Sequence, residues 1–233
     1  MAKEYIPLQL RKNEKGRRIA IGDIHGCYFE FKKLMFNQLR ITKNDQIFLL
    51  GDLIGKGFHS SLVLDMIIEL KSNKYQIFPI KGNHEEKLLM AYSCGFDFFE
   101  SYLEEYNNMD LLGDDLGEYL NLIYKFEYCI ELDKFVLSHP GINEGRISPF
   151  TDLRGMFPRV KFKFEEEKLI TKTQIHGHLV RTIDEIEESV LIKKRRFSID
   201  SGCYLDENQF GYLTALDLDE MKLYHQKRKS VLY

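Results

Sequence analysis

The chain lacks the features that would mark a membrane, secreted or nucleic-acid-binding protein. No apolar run approaches the roughly 18 residues a membrane span needs. The N-terminal "MAKEYIPLQLRKNEKGRR" has no apolar core followed by a small-residue cleavage site, so no secretion signal is expected. The four cysteines, Cys27, Cys94, Cys129 and Cys203, are scattered and form no CxxC pair. They read as reduced thiols of a cytoplasmic protein, not as a disulfide framework or a zinc site. Excess charge is also absent: 33 Lys and Arg stand against 36 Asp and Glu, for a net charge of −3. That balance argues against broad nucleic-acid binding. What remains is a chain of 233 residues, 44% hydrophobic, suited to one α/β domain over 1–233. Its oligomeric state is left open.

One pattern occurs three times in the N-terminal part. "RRIAI" leads into "GDIHG" and then "YFEFKKLMFNQL". "QIFLL" leads into "GDLIGKG" and then "SSLVLDMIIELK". "YQIFPI" leads into "KGNHE" and then "EKLLMAY". Each unit is a short β-branched or aromatic run, a polar glycine loop and apolar residues at helical spacing. This βαβ rhythm predicts a parallel sheet whose carboxyl-end loops lie side by side and form a crevice. Asp23, His25, Asp52, Asn83 and His84 are therefore expected to converge.

The rhythm breaks over about 95–126, where eight Asp or Glu accompany one Lys in an aromatic stretch. A helical insert covering a sheet edge is expected there, with a substrate-selecting lid as the alternative. Beyond it, "YCIEL", "KFVLSH", "TQIHGH", "RRFSID", "GYLTALDL" and "MKLYH" read as antiparallel or mixed strands joined by short turns.

Singly, each polar motif has a plain explanation. Gly-Asp after a strand is a common turn, Asn83 followed by Glu86 can cap a helix, and a lone histidine is usually structural. The conjunction carries more. Four of the seven histidines, His25, His84, His139 and His178, flank strand-like runs in glycine-containing turns. Carboxylates and an amide join them. Mixed His, Asp and Asn donors suit Mn, Fe or Zn.

The series "GDIHG", "GDLIGKG", "GNHE", "SHPG" and "HGH" resembles the phosphoprotein phosphatase family of metallophosphoesterases, from about Arg18 to Leu218. All five blocks stand in family order. The resemblance is to bacterial and phage-lambda-like serine/threonine phosphatases and to the related symmetrical diadenosine tetraphosphate hydrolases. It implies a calcineurin-like β-sandwich of mixed sheets flanked by helices. It also implies two divalent metal ions, Mn foremost, and phosphate esters attacked by a hydroxide bridging them. Asp23 and His25 would hold one metal, Asn83, His139 and His178 the other, and Asp52 would bridge. His84 matches the general acid. Lys56, Arg154 and Asn83 match phosphate contacts, with Asp152 and Leu153 departing from the usual neighbours of that arginine.

The second loop departs from the family's GD-x-x-DRG pattern. Gly55 stands where an aspartate would orient the acid histidine, and Lys56 replaces an arginine. Lysine keeps the charge without the planar two-pronged grip. General acid assistance is worth about 10²–10⁴-fold, a modest share of total accelerations that approach ~10²¹ for phosphate monoesters. An active enzyme is therefore expected, acting on phosphoserine or phosphothreonine in proteins or on a small phosphate compound. A dinucleoside polyphosphate hydrolase is the alternative. A phosphate-binding module without turnover is a third reading.

Overall fold

A computed structural model describes residues 4–141, 161–162 and 171–229. Two five-stranded sheets face each other. The first has the order β12-β11-β3-β4-β5. In it β3 (Arg18–Ile21), β4 (Gln46–Leu49) and β5 (Gln76–Pro79) run parallel, β11 (Tyr212–Asp217) joins β3 antiparallel, and β12 (Lys222–Lys227) forms the edge. The second has the order β10-β9-β7-β6-β2. Here β7 (Phe135–Ser138), β9 (Thr173–His176) and β10 (Arg196–Ser198) run parallel. β6 (Cys129–Glu131) pairs antiparallel with β7 and parallel with β2 (Leu8–Gln9). A short parallel pair, β1 (Glu4–Tyr5) with β8 (Lys161–Phe162), stands apart.

The near-continuous apolar character of β3 and β4 follows from burial on both faces. Ala20, Phe48 and Leu50 point into the space between the sheets, where they meet Ile130, Leu137, Ile175 and Phe197. Their neighbours Ile19, Ile21, Ile47 and Leu49 belong to a second cluster under the helices. A one-residue slip in register would exchange these faces. The helices are α1 (Tyr28–Lys33), extended by a π-helical turn over Leu34–Gln38, α2 (Ser60–Ser72) and α3 (Asn83–Ser93). α2 buries Val63, Met66, Ile67 and Leu70, the stripe its sequence period requires.

Within 95–126, α4 (Phe96–Glu105), a 3-10 turn over Met109–Leu111 and α5 (Leu116–Tyr124) replace the strand rhythm. Phe99, Tyr102, Leu103, Tyr119 and Ile123 join the helix-side core. The six strand-like stretches beyond it are all strands, and β6–β7 and β11–β12 are antiparallel hairpins. Other connections are longer than the expected short turns, and one of them is helical. Between the parallel strands β9 and β10 lies α6 (Ile183–Leu191), as a parallel crossover demands. Its start was written in the sequence as a capping box: Thr182 Oγ1 accepts from the Glu185 N–H at 3.2 Å, and the Thr182 N–H donates to Glu185 Oε2 at 2.9 Å.

Candidate metal centre and active site

Loops at the carboxyl ends of β3, β4, β5, β7 and β9 meet at one rim, and their polar residues turn inward. Asp23, His25, Asp52, Asn83, His84 and His139 are all buried, while His178 lies at the solvent edge. His25 and Asp52 have φ of +48° and His178 has +65°. Left-handed backbone at such side chains costs on the order of 1–3 kcal/mol each and collects at functional sites. The strain here aims ring and carboxylate atoms at a common space.

Two triads of ligand atoms form. His25, Asp52 and His84 make one, and Asp52, His139 and His178 the other, each with its atoms within 4.8 Å of one another. Asp52 is the residue they share. Its Oδ2 lies 3.6 Å from His25 Nε2 and 3.4 Å from His139 Nε2. Asn83 Oδ1 is 2.9 Å from both His139 Nε2 and His178 Nδ1. Asp23 Oδ2 is 3.9 Å from His25 Nε2, and both its oxygens accept from the His178 N–H. Gly177 makes that approach possible, since a Cβ there would stand 1.9 Å from Asp23 Oδ1.

Backbone carbonyls orient two of the rings. His139 Nδ1 donates to Leu50 O at 2.9 Å, and His25 Nδ1 donates to Ile54 O at 3.2 Å. Each leaves Nε2 facing the carboxylates, the arrangement that prepares an imidazole for a metal. The donor set fits divalent ions on charge as well. Among the described residues the charge partners of buried Asp23 and Asp52 are histidines, with no lysine or arginine salt bridge. Buried carboxylates in such number call for a compensating cation.

Acidities follow the same pattern. Burial pushes the Asp23 carboxyl well up, helped by the Asp200 charge. Burial acts on Asp52 too, but His139 and His84 overcome it and hold Asp52 well below the usual range. Burial lowers His139, yet Asp52 and Asp23 carry it up to about 10. Burial brings His25 well down, and His84 and His178 to about 4.

Glu85 braces the loop after β4. Its carboxylate accepts from the N–H groups of Asp52, Leu53, Ile54 and Gly82 at 2.7–3.3 Å. Helix α3 thus begins with Gly82 as N-cap and Glu85 as the capping acid, so Asn83 and Glu86 do not form the cap. The Asp52 carboxylate in turn accepts from the His84 N–H at 2.9 Å.

Around Gly55 the pattern changes. His84 Nδ1 is buried and has no hydrogen-bond partner among the described residues. Gly55 has φ +85°, and a Cβ there would lie 2.4 Å from that nitrogen. The ring therefore occupies room that any larger residue would need. Asn108, from the insert, accepts from the Gly55 N–H at 2.9 Å and from Ser60 Oγ at 2.7 Å. The Lys56 N–H donates to Tyr106 O at 2.8 Å, and Asn107 Nδ2 donates to Lys56 O at 3.1 Å. The insert thus fastens the 55–57 loop as well as covering helices.

Lys56 Nζ stands 4.1 Å from the centre of the Tyr204 ring, which meets His25 edge-on at 5.0 Å. His176, set aside as a ligand on sequence, bonds the Gly177 carbonyl through Nδ1 and joins neither triad. Arg154 lies outside the described residues. Sequence reasoning missed Tyr204, Tyr106, Asn108 and Lys87, while Asp200 stands in "IDSG" at 199–202, which resembles a family segment that supports the site. Only Lys87 had a local signal, standing one helical turn after His84.

The sequence pattern of calcineurin-like phosphoesterases matches residues 16–197, and the chain belongs to that family. Among curated relatives, the symmetrical bis(5'-nucleosyl)-tetraphosphatase of Wigglesworthia glossinidia brevipalpis is 49% identical over 77 residues, 31% of this chain and 26% of that protein. The enzyme of the same name from Buchnera aphidicola subsp. Schizaphis graminum is 32% identical over 126 residues, 53% of this chain and 44% of that one. The matched part thus spans less than half the length of these relatives. In fold, the chain resembles a crystal structure provisionally assigned as a diadenosine tetraphosphatase, with TM-score 0.65, 18% identity and coverage of 99% and 100%. It also resembles a serine/threonine phosphatase of Saccharomyces cerevisiae, with TM-score 0.60, 13% identity and coverage of 97% and 84%. At such identities these two likenesses concern the fold alone.

Proposed function

We propose that this metallophosphoesterase hydrolyses phosphoanhydrides, with dinucleoside polyphosphates of the diadenosine tetraphosphate kind as its substrate class. The observation that carries this reading is His84 Nδ1, buried without a partner among the described residues where the family pattern has a carboxylate. A serine alkoxide leaves poorly and needs a proton delivered. A phosphate leaving from an anhydride needs it far less. The names of the curated relatives favour the same substrate class over phosphoproteins.

Asp23, His25, Asp52, Asn83, His139 and His178 would hold two divalent ions, with Asp52 between them. Such ions neutralise phosphate oxygens and lower the pKa of water. The chain's own residues do the rest. Carbonyls of Leu50 and Ile54 hold the His139 and His25 rings in their working tautomers. Glu85 fixes the backbone that carries Asp52, so the carboxylate needs no reorganisation during the reaction. Lys56, with Arg154 and Asn83, grips phosphate oxygens. His84 lies beside the leaving group as a hydrogen-bonding ring. We place the protein in the cytoplasm, as one domain over 1–233 with its insert at about 95–126, acting on a small phosphate compound.

The test is a substrate comparison with Mn²⁺: diadenosine tetraphosphate, an aryl phosphate and a phosphoserine peptide, each with wild type and His84→Ala. Anhydride turnover should lead, and His84→Ala should lower it less than about tenfold, below the usual range for general acid loss. Phosphoserine turnover without anhydride cleavage would overturn the proposal. Tight phosphate binding with no turnover of any substrate would favour a binding module.

A further inference from the structure

Four aromatic rings form an edge-to-face series through the site. Tyr204 meets His25 at 5.0 Å, His25 meets His84 at 4.9 Å, and His84 meets Tyr106 at 5.0 Å. A lysine caps each end. Lys56 lies over Tyr204, and Lys87 Nζ lies 4.8 Å from the Tyr106 ring centre. The Lys87 ammonium also donates to Tyr106 Oη at 3.2 Å. Tyr106 is itself pinned by stacking on Tyr102, with centroids 4.8 Å apart, and Tyr102 Oη donates to the His84 carbonyl at 2.8 Å. Lys87 is thus held in place from the insert.

Lys87 has no carboxylate partner among the described residues. Its ammonium reaches the edge of the centre through the Tyr106 ring, which meets His84. An unpaired cation beside a site that would hold two more cations is electrostatically costly. It is compensated when an anion longer than one phosphate lies across the site. Lys56 already stands at the other end of the ring series, on the His25 side. One phosphate at the centre would occupy the Lys56 side and leave Lys87 unmatched.

We propose that Lys87, steadied by Tyr106, is a specificity-determining contact for the second or third phosphate of a polyphosphate chain. This deepens the anhydride-hydrolase reading and rests on it. Tyr106 acts as a positioning residue, because its hydroxyl and ring set where the ammonium stands. Lysine suits the task, since a point charge with three rotatable donors tolerates the varied geometry of a flexible phosphate chain.

The experiment is calorimetric binding of inorganic triphosphate and of orthophosphate to Mn-loaded protein, with the titrants in the same metal buffer. Lys87→Met should weaken triphosphate binding about tenfold or more and leave orthophosphate within about twofold, as expected for one lost charge-assisted contact. Lys87→Arg should restore most of the triphosphate affinity. Tyr106→Phe should give a smaller loss, again confined to triphosphate. Unchanged triphosphate affinity in Lys87→Met, or equal loss for both anions, would overturn the inference. Because binding is read directly, failure here is separate from failure of wild type to cleave diadenosine tetraphosphate, which would count against the function.

Discussion

The two sides of the site are built to different standards. On the side of Asp52, Asn83, His139 and His178, every ring has an assigned neighbour and the carboxylate-bearing loop is tied down by Glu85. On the side of Gly55, the His84 ring has a buried nitrogen with no partner among the described residues, and the nearby Asn108 amide nitrogen is in the same condition. Such groups cost on the order of 1–3 kcal/mol each, so a protein keeps few of them. The contrast teaches that the candidate ligand side is closely partnered, while the ring at the position of the family's general acid is not. A reaction with a good leaving group puts its demands in that order.

The largest effect should come from the first side. Asp52→Asn removes the one carboxylate common to both triads, and turnover of every substrate should fall to background. Steady-state assays with excess Mn²⁺ check this, and surviving turnover would break the contrast at its stronger end. Gly55→Asp probes the second side by restoring the acid of the family pattern. The new Cβ meets His84 Nδ1 at 2.4 Å, and φ of +85° is strained for any side chain. A loss of about 1–3 kcal/mol is expected from the strained backbone, equal to a Tm fall of roughly 2–4 °C per kcal/mol. Alkyl phosphate turnover should not improve. Faster phosphoserine hydrolysis at an unchanged Tm would show that the site needed only its missing acid. The smallest effect belongs to Tyr102→Phe, which deletes the bond to the His84 carbonyl. Thermal unfolding should report a loss of about 0.5–1.5 kcal/mol, with metal affinity unchanged. A collapse of turnover comparable to that of Asp52→Asn would mean that the insert governs both sides.

Much of the architecture was legible before any coordinates. The strands β3, β4 and β5, the helices after them and the six later strands lay in short apolar runs punctuated by glycine loops, because period and turn chemistry are local properties. The convergence of Asp23, His25, Asp52, Asn83 and His84 was legible for a related reason: parallel strands put successive loops at one edge. Helix α6 is the exception: Thr182 and Glu185 mark its start, but it lies between strand-like runs whose pattern predicts only short turns. Asn108 gave no local sign, because it matters through a partner far away in sequence, the Gly55 N–H.

The sequence by itself determined the donor types, their order along the chain and the absence of an acid at Gly55. Only the tertiary structure decided what that absence means. It brought the His84 ring into the space a side chain would need, and it left the ring nitrogen without a partner among the described residues. It also carried Tyr106 from the insert to Lys87, placing a cation on the His84 side. Residue type is a property of each position alone, whereas burial, partnering and charge compensation depend on which distant segments the fold packs together.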